Sequence, residues 1–313
     1  MSSILVESPG LLTPVQDLGR LGFGTIGVSP SGAADPVSLR LGNRLVGNDE
    51  GTAALEMTLI GGAFALPDGA IMALTGSDFG AQLDDFDIAV GTSVEVRPGQ
   101  TLRLGPTRSG ARCYLCVQGG IAVPPFLGSA STHLLSGLGG FEGRALRKGD
   151  VLQIGLTNVP FRRRTIAPRV AESLSERKVF RVTRGPQADW FDESSSRAFL
   201  MATFRVGEQS NRMGIRVEGA QIAQSKKASM ITEGVSLGAI QVPPGGSPII
   251  LFVEQQTTGG YPKIANVISA DLHRLGQLRP RDEIRFELVT FETARAILIQ
   301  QEGMLASPES ILE

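Results

Sequence analysis

Two stretches of the sequence repeat one pattern, an apolar segment, a turn rich in Pro and Gly, and a second apolar segment. They are residues 61–74 and 237–250. In each half a second shared pattern follows, at 97–104 and 279–286, where a charged or Gly-containing turn leads into alternating apolar and polar residues; it recurs at 147–154. This alternation is typical of a half-buried strand. The repeat therefore predicts two related β domains.

Composition and length agree with this prediction. The 313 residues include 39 Gly and 18 Pro, and only 5% are aromatic, which favours short strands and turns over long helices. Because single cores usually stop growing near about 250–300 residues, two domains are expected. We place an N-terminal β domain at 1–160, a linker with three consecutive Arg at 161–178, and a C-terminal β domain at 179–313.

The few helices have clear start and stop signals. Asp35 is a suitable N-cap, Pro36 suits the first helical position, and Gly47 can end the helix. Short helices are predicted between Trp190 and Met201, and a C-terminal helix at 290–301.

Several function classes are disfavoured. With 30 basic and 31 acidic residues there is no basic excess to attract nucleic acid. Cys113 and Cys116 lie three apart on a predicted strand and so face opposite sides, which disfavours a shared metal or a disulfide. The two histidines, His133 and His273, lack metal-ligand spacing. No apolar run suits a membrane helix and no secretory segment follows the first residue, so we expect a soluble, cytoplasmic protein.

Two short motifs match known patterns without the context that they need. Residues 22–27 fit Gly-x-Gly-x-x-Gly, but the following Val-Ser-Pro-Ser-Gly cannot open a helix onto a pyrophosphate. Residues 234–238 fit Gly-x-Ser-x-Gly, but a strand rather than a helix is predicted next. The sequence contains no Gly-x-x-x-x-Gly-Lys-Ser/Thr, so an ATP site here would not be a P-loop.

Polar side chains on Gly-rich loops remain as the candidate site. Arg offers donors to a carboxylate or carbonyl oxygen, carboxylates accept from N–H groups, and Asn and Gln do both, which suits an amide or urea. Without a strong nucleophile or metal cluster, such a set would act by positioning and electrostatics. The predicted catalytic residues are Asp17, Arg20, Asn211 and Arg212. The predicted substrate-binding residues are Gln16, Ser31, Glu56, Gln255, Thr257, Thr258, Gly259 and Tyr261.

Structural roles remain open for several of these residues. Asp35 is favoured as a helix cap over a ligand-binding residue. Asp17 and Arg20 can bond to each other across one turn, and Glu56 can be a half-buried acid with all its hydrogen bonds made within the fold. For Tyr261 the alternative role is to shape its turn.

Seven tracts together resemble a known family. They are PGLLTPVQDLGR at 9–20, SGAAD at 31–35, NRLVGN at 43–48, LEMT at 55–58, GGFEGR at 139–144, SNRMG at 210–214 and QQTTGGYP at 255–262. They are similar to the family of 5-oxoprolinase C subunits, also called allophanate hydrolase subunit 2, which corresponds to the second half of the carboxyltransferase region of urea carboxylase. The resemblance extends over residues 3–300. Glu254 stands where Asp is expected, and Arg281 where Gly is expected.

The resemblance implies two cyclophilin-like β-barrel domains. It also implies two partners from the 5-oxoprolinase complex. The B subunit would share a composite active site with this chain, and the A subunit would join them in the ATP-dependent opening of 5-oxoproline to glutamate. The substrate carboxylate would then bind Arg20 or Arg212.

Two other functions are carried by relatives of the same family. One is carboxyl transfer from carboxybiotin to urea, in proteins that also carry biotin carboxylase domains. The other is regulatory, by binding an inhibitor of a histidine kinase. The sequence shows no biotinyl-lysine module, which favours the 5-oxoprolinase interpretation over the biotin-dependent one.

Overall fold

The computed structural model describes residues 2–157, 160–174, 178–226 and 230–313. The chain divides into two compact units. The first unit comprises Met1–Arg20, Ser31–Ser175 and Met304–Glu313. The second unit comprises Leu21–Pro30 and Glu176–Gly303.

The described residues form short strands and few helices. The strands are β1 Ser3–Ser8, β2 Val15–Gln16, β3 Ala54–Thr58, β4 Ala63–Ala65, β5 Ile71–Gly76, β6 Gln82–Leu83, β7 Phe86–Asp87, β8 Ser93–Glu95, β9 Thr101–Arg103, β10 Arg112–Val117, β11 Val151–Gln153, β12 Thr165–Ile166, β13 Val179–Arg184, β14 Phe204–Val206, β15 Gly214–Glu218, β16 Glu233–Gly234, β17 Ala239–Gln241, β18 Ile249–Leu251, β19 Thr258–Gly259, β20 Lys263–Val267, β21 Glu283–Leu288 and β22 Ile311–Leu312. The α-helices are α1 Pro36–Val46, α2 Pro168–Ser173, α3 Glu193–Met201, α4 Leu272–Leu275 and α5 Phe291–Ala306. The predicted mainly β fold with few short helices is confirmed.

The core of the first unit lies between two sheets. A six-stranded sheet has the order β11-β1-β4-β9-β6-β7, and a five-stranded sheet has the order β2-β3-β10-β5-β8. Apolar side chains from both sheets, among them Ile4, Phe64, Leu74 and Leu115, form one buried cluster. Alternation along each strand directs these residues inward, so the period-two pattern of the sequence builds this core.

Helix α1 covers the outer face of the five-stranded sheet. Leu39 and Leu45 of α1 pack with Tyr114 and Cys116 of β10, whereas Cys113 belongs to the core between the sheets. The two thiols therefore face opposite sides of β10, as predicted, and burial raises the pKa of both. The predicted caps are also confirmed, because Asp35 accepts from the Ser38 amide and Gly47 ends the helix with φ 79°.

The second unit contains a closed barrel. Its seven strands follow the order β13-β20-β17-β18-β15-β14-β21, and β21 closes on β13 in parallel. Helix α3 packs against this barrel through Phe199, whose ring stacks on that of Phe286 with centroids 4.6 Å apart. Phe204 of β14 completes the aromatic group at 5.6 Å from Phe286.

The two copies of the sequence repeat pair differently. In the second unit the copy forms a hairpin, because β17 pairs with β18. In the first unit β4 joins the six-stranded sheet and β5 the five-stranded sheet, so the Pro-Gly turn carries the chain from one sheet to the other.

The compact units differ from the predicted domain boundaries of 1–160, 161–178 and 179–313. Residues 165–173, predicted to lie in a linker, form β12 and α2 in the first unit. There Val170 of α2 packs with Val37 and Leu41 of α1 and with Leu305 near the C-terminus. The Arg-rich composition of this stretch predicted a linker. The apolar side chains of Ile166, Ala167 and Val170 instead pack into a buried cluster of the first unit. Within the described residues no helix is long and apolar enough to cross a membrane.

Gly42 tests the packing of α1, and Gly303 of α5 provides the comparison. A Cβ on Gly42 would lie 2.6 Å from Cys116 Sγ and 2.7 Å from Thr75 Oγ1, whereas a Cβ on Gly303 in α5 would meet nothing within 4 Å. We expect Gly303→Ala to stabilise the chain by about 0.5–1 kcal/mol through helix propensity. Gly42→Ala should destabilise it by about 1–3 kcal/mol through overpacking. Chemical denaturation compares them, and a stabilised Gly42→Ala would contradict this packing.

Candidate functional site

Polar residues predicted for the site in the first unit converge on one short segment, residues 129–132. Gln16 Nε2 donates to the Thr132 carbonyl at 2.9 Å, and Ser31 Oγ donates to the same oxygen at 2.8 Å. Ser31 holds a φ of 56°, a conformation that is costly for a non-Gly residue and is kept only where surrounding contacts enforce it. The structure thus brings these residues together around backbone groups.

The carboxylate of Asp17 is the centre of this arrangement. Oδ1 accepts from the Gly19 amide at 2.7 Å, from Ser129 Oγ at 2.7 Å and from Ser131 Oγ at 2.5 Å. Oδ2 accepts from the Ala130 amide at 2.6 Å. With four donors already bound, this carboxylate orders the loop, which is a positioning role.

Arg20 is nearly inaccessible, with 2% of its surface exposed. Nε donates to the Phe126 carbonyl at 3.3 Å, Nη2 donates to the Ser131 carbonyl, and the guanidinium lies 5.5 Å from the centroid of the Phe126 ring. Asp17 binds the same region through the Ala130 amide. Asp17 and Arg20 thus both anchor their own turn to the segment 126–131.

Glu56 and Asp35 meet at Tyr114. Glu56 Oε2 accepts from the Tyr114 hydroxyl at 2.7 Å and from the Ala34 amide at 2.8 Å, and its Oε1 lies 3.6 Å from Arg112 Nε. The Tyr114 oxygen in turn accepts from the Asp35 amide at 2.8 Å. Burial, with the charges of Glu56 and Asp35, raises the pKa of Tyr114 well above its ordinary value. Asp35 acts as the helix cap, as the sequence favoured.

In the second unit, Arg212 binds the residue just before the predicted Gln-rich tract. Its Nε donates to Glu254 Oε1 at 2.5 Å, and both side chains are buried. The Glu254 amide donates to the Arg212 carbonyl at 2.8 Å. Glu254, where the family resemblance led us to expect Asp, thus reaches the guanidinium, and the pair joins the loop before β15 to the segment after β18.

Asn211 shapes its own turn. Its side-chain oxygen accepts from the Met213 amide at 2.8 Å and from the Gly214 amide at 3.3 Å. Such an Asx turn is a frequent local role of Asn. The residue is exposed, which places its side-chain amide nitrogen on the surface of the loop.

The predicted tract at 255–261 divides into buried and exposed parts. Gln255 is buried and its Nε2 donates to the Val235 carbonyl at 3.4 Å. The Thr257 carbonyl accepts from the Val235 amide at 3.1 Å, and β19, formed by Thr258 and Gly259, pairs with β16. Tyr261 is 45% exposed.

Several residues of these clusters were missed from the sequence. In the first unit they are Ser129, Ser131 and Thr132, which had a visible signal in the hydroxyl-rich run at 129–132. In the second unit they are Gln241 and Lys263, both buried, and Glu233, which lies 2.6 Å from Lys263 Nζ. The hydrogen bonds of Lys263, and then of Gln187, lower the pKa of Glu233.

Neither a metal cluster nor a helix end suited to phosphate is present in the described ranges. No group of three His, Cys, Asp or Glu there has the geometry to hold a metal. The three described helices of eight or more residues carry Asp35, Asp192 with Glu193, and Glu292 at their N-terminal ends. Carboxylates at these three described helix ends disfavour a phosphate there.

Comparisons with known proteins agree with this architecture. Residues 26–288 match the family described as carboxyltransferase domain, subdomain A and B. The chain belongs to this family. The family resemblance predicted from the sequence tracts is confirmed.

Two curated relatives match over nearly their whole length. The C subunit of 5-oxoprolinase from Escherichia coli (strain K12) is 40% identical over 285 residues, covering 91% of this chain and 91% of the relative. The C subunit of 5-oxoprolinase from Haemophilus influenzae is 37% identical over 299 residues, covering 96% of this chain and 95% of the relative.

A solved structure also matches almost the whole chain. The crystal structure of the K. lactis urea amidolyase superposes with a TM-score of 0.92 at 33% identity, over 99% of this chain. This chain corresponds to 20% of that much longer protein.

The Arg212–Glu254 pair is expected to matter for stability. Glu254→Ala removes a buried ionic partner of Arg212, so it should cost about 3–5 kcal/mol. The double variant Arg212→Met with Glu254→Leu should cost clearly less than the sum of the single changes. Denaturation midpoints measure both.

An exposed Arg–Glu pair provides the matched control. Arg281 and Glu208 lie 2.7 Å apart, but their side chains are 79% and 62% exposed. Glu208→Ala should cost no more than about 1 kcal/mol. Equal losses at Glu254 and Glu208 would show that burial of the first pair is energetically unimportant.

Proposed function

We propose that this chain is the C subunit of a 5-oxoprolinase. With the B subunit it would form the site at which 5-oxoproline is opened to glutamate, in a complex that also contains the A subunit and uses ATP. The cleavage breaks the lactam C–N bond with water, leaving a carboxylate and a free amine. This chain would supply binding and positioning groups, in keeping with the absence of a strong nucleophile from its candidate residues.

The observation that carries the proposal is that the similarity to a 5-oxoprolinase C subunit extends over nearly the whole of both chains. Identity of 40% extends over 91% of both this chain and the E. coli C subunit. The urea amidolyase of Saccharomyces cerevisiae is 36% identical but has only 18% of its length in common with this chain. The match thus extends over nearly the whole of a C subunit and over a small part of the urea amidolyase.

The ordering of the polar loops supports a role in binding. A flat lactam needs donors at its oxygen and an acceptor at its N–H, and its carboxylate needs a cation. Within the second unit, Arg212 and Gln255 offer such donor and acceptor groups and are buried, so their positions are fixed by packing. Fixed donors stabilise developing charge without reorganisation during the reaction.

ATP is assigned to the other subunits in this proposal. The described helix ends carry carboxylates, which disfavour a phosphate, and the sequence lacks a P-loop.

A second candidate is the carboxyltransferase subunit of a biotin-dependent urea or amide carboxylase. It is favoured by the structural match to the K. lactis urea amidolyase. The two functions require different co-substrates, so one assay separates them. Bicarbonate-dependent carboxylation of urea with a biotinylated carrier would support the second candidate.

The direct test is reconstitution of the chain with the A and B subunits. We expect glutamate release from 5-oxoproline to require ATP and all three proteins, and the chain to co-elute with the B subunit on size exclusion. A complex that keeps its full rate when only this chain is omitted would refute the proposal.

Asn211 allows a test of binding separate from folding. Asn211→Asp keeps the oxygen that accepts from Met213 and Gly214 but removes the amide donor. If that donor binds substrate, loss of a hydrogen bond of about 1.5–3 kcal/mol should lower kcat/KM by roughly tenfold to a hundredfold. Unfolding of the variant should match wild type. Unchanged kcat/KM would limit Asn211 to shaping its turn.

A further inference from the structure

Three buried polar side chains of the second unit have unused hydrogen-bonding capacity. Within the described residues, Gln241 Nε2 and Gln255 Oε1 have no hydrogen-bond partner, and their side chains are 1% and 5% exposed. Lys263 is 3% exposed, and its Nζ carries three N–H groups, of which the ion pair with Glu233 uses one. Buried polar groups are nearly always bonded in native proteins, so three such groups together call for an explanation.

All three side chains lie against the same pair of short strands, β16 and β19. Lys263 Nζ pairs with Glu233 of β16, and Gln255 Nε2 donates to Val235, which directly follows β16. A Cβ on Gly259 of β19 would lie 2.5 Å from Gln241 Nε2. The absence of a side chain at position 259 therefore leaves room for the Gln241 amide.

The side chains are also close to one another on the barrel. Gln241 and Lys263 are partners across β17 and β20. Gln256, next to Gln255, donates through Nε2 to Gln241 Oε1 at 3.3 Å. Gln241 and Lys263 therefore share one end of the β17–β20 pair, and Gln256 links Gln241 to the segment that carries Gln255.

The covering strands are short and reach the surface. Each has two residues, and Glu233, Gly234 and Thr258 are exposed. Few backbone hydrogen bonds therefore hold the β16–β19 pair in place, which lowers the free energy of local opening.

An ion cluster elsewhere in the same barrel provides a contrast. Asp271 is completely buried, and its carboxylate accepts from the amide and two side-chain nitrogens of Arg181 and from Arg274 Nη1. The Lys263 ammonium instead pairs with Glu233, whose side chain is 45% exposed. The Lys263–Glu233 pair is therefore only partly enclosed, unlike the Asp271 cluster.

We propose that Gln241, Gln255 and Lys263 bind a small planar amide that carries a carboxylate, under the β16–β19 strand pair. Gln241 Nε2 donates to the amide oxygen, Gln255 Oε1 accepts from the amide N–H, and Lys263 binds the carboxylate. The identification of that ligand as 5-oxoproline rests on the proposed function. Gln241 and Lys263 are then specificity-determining residues.

The test uses the reconstituted complex with variants of two residues. Lys263→Met should raise KM for 5-oxo-L-proline at least tenfold, and Gln241→Leu should lower kcat/KM tenfold to a hundredfold. Matched controls are Lys226→Met, which removes an exposed ion pair with Asp189, and Gln221→Leu, which removes an exposed contact with Ser247. Both controls should keep wild-type kinetics.

Ligand analogues separate binding from a merely structural effect. 2-Pyrrolidinone lacks the carboxylate and L-proline lacks the lactam oxygen. As competitive inhibitors, 2-pyrrolidinone should bind wild type and Lys263→Met equally, whereas 5-oxo-L-proline should lose its advantage over 2-pyrrolidinone in Lys263→Met. An undiminished advantage in a folded Lys263→Met complex would overturn the assignment.

Hydrogen exchange of the unmodified chain tests the same site without any substitution that could impair folding. Adding 5-oxo-L-proline should slow hydrogen exchange of the amides of β16 and β19, because the ligand bridges the barrel to its cover. Unchanged exchange at saturating ligand would refute binding at this place.

Failure of the two proposals can be told apart. If the wild-type complex releases glutamate but the Gln241 and Lys263 variants match it, the proposed function stands and this inference falls. If no glutamate forms, the proposed function falls, and calorimetry of the full chain with 5-oxo-L-proline decides the site. Saturable binding that Lys263→Met weakens would support it, and no binding would overturn it.

Discussion

The rule that buried polar groups need partners governs the loops of this protein, and Asp17 applies it in the first unit. One carboxylate receives four hydrogen bonds, three of them from the distant segment 129–131. Arg20 and Gln16 then bind carbonyl groups of the same region. Because a carboxylate can accept several donors at once, a single side chain fixes a loop that has no regular secondary structure.

The rule has exceptions in both units. Gln16 Oε1 of the first unit also has no partner within the described residues, but in the second unit such groups lie close together. Arg212 and Glu254 bind each other, and Asp271 receives several donors, yet Gln241, Gln255 and Lys263 keep free capacity beneath two short strands. A stable fold tolerates few such groups, since each opposes folding by an amount comparable to a lost hydrogen bond. Their concentration in one place is therefore more informative than any one of them, and one of them, Gln255, belongs to the tract that the sequence had already singled out at 255–261.

Local features could be predicted from the sequence, and tertiary ones could not. The caps of α1, the opposite faces of Cys113 and Cys116 and the strand–turn–strand segments depend on near neighbours, and all were found. That β4 and β5 enter different sheets depends on partners far away in the chain, which period-two alternation cannot identify. Lys263 was missed because a Lys at the start of a strand is normally exposed, and only the structure shows its burial.

The two departures from the family pattern show how backbone and side-chain demands differ. Arg281 stands where Gly was expected, and it retains a φ of 74°, the conformation that favours Gly. Its amide donates to the Val206 carbonyl at 2.8 Å, so the turn before β21 is imposed by the barrel and not by the residue. Glu254 stands where Asp was expected, and despite the extra methylene its carboxylate contacts Arg212. In the first case the fold holds an unfavourable residue in place, and in the second a longer side chain keeps the charge pair. The second substitution therefore preserves the geometry beside the 255–261 tract, where the candidate ligand groups of the second unit lie.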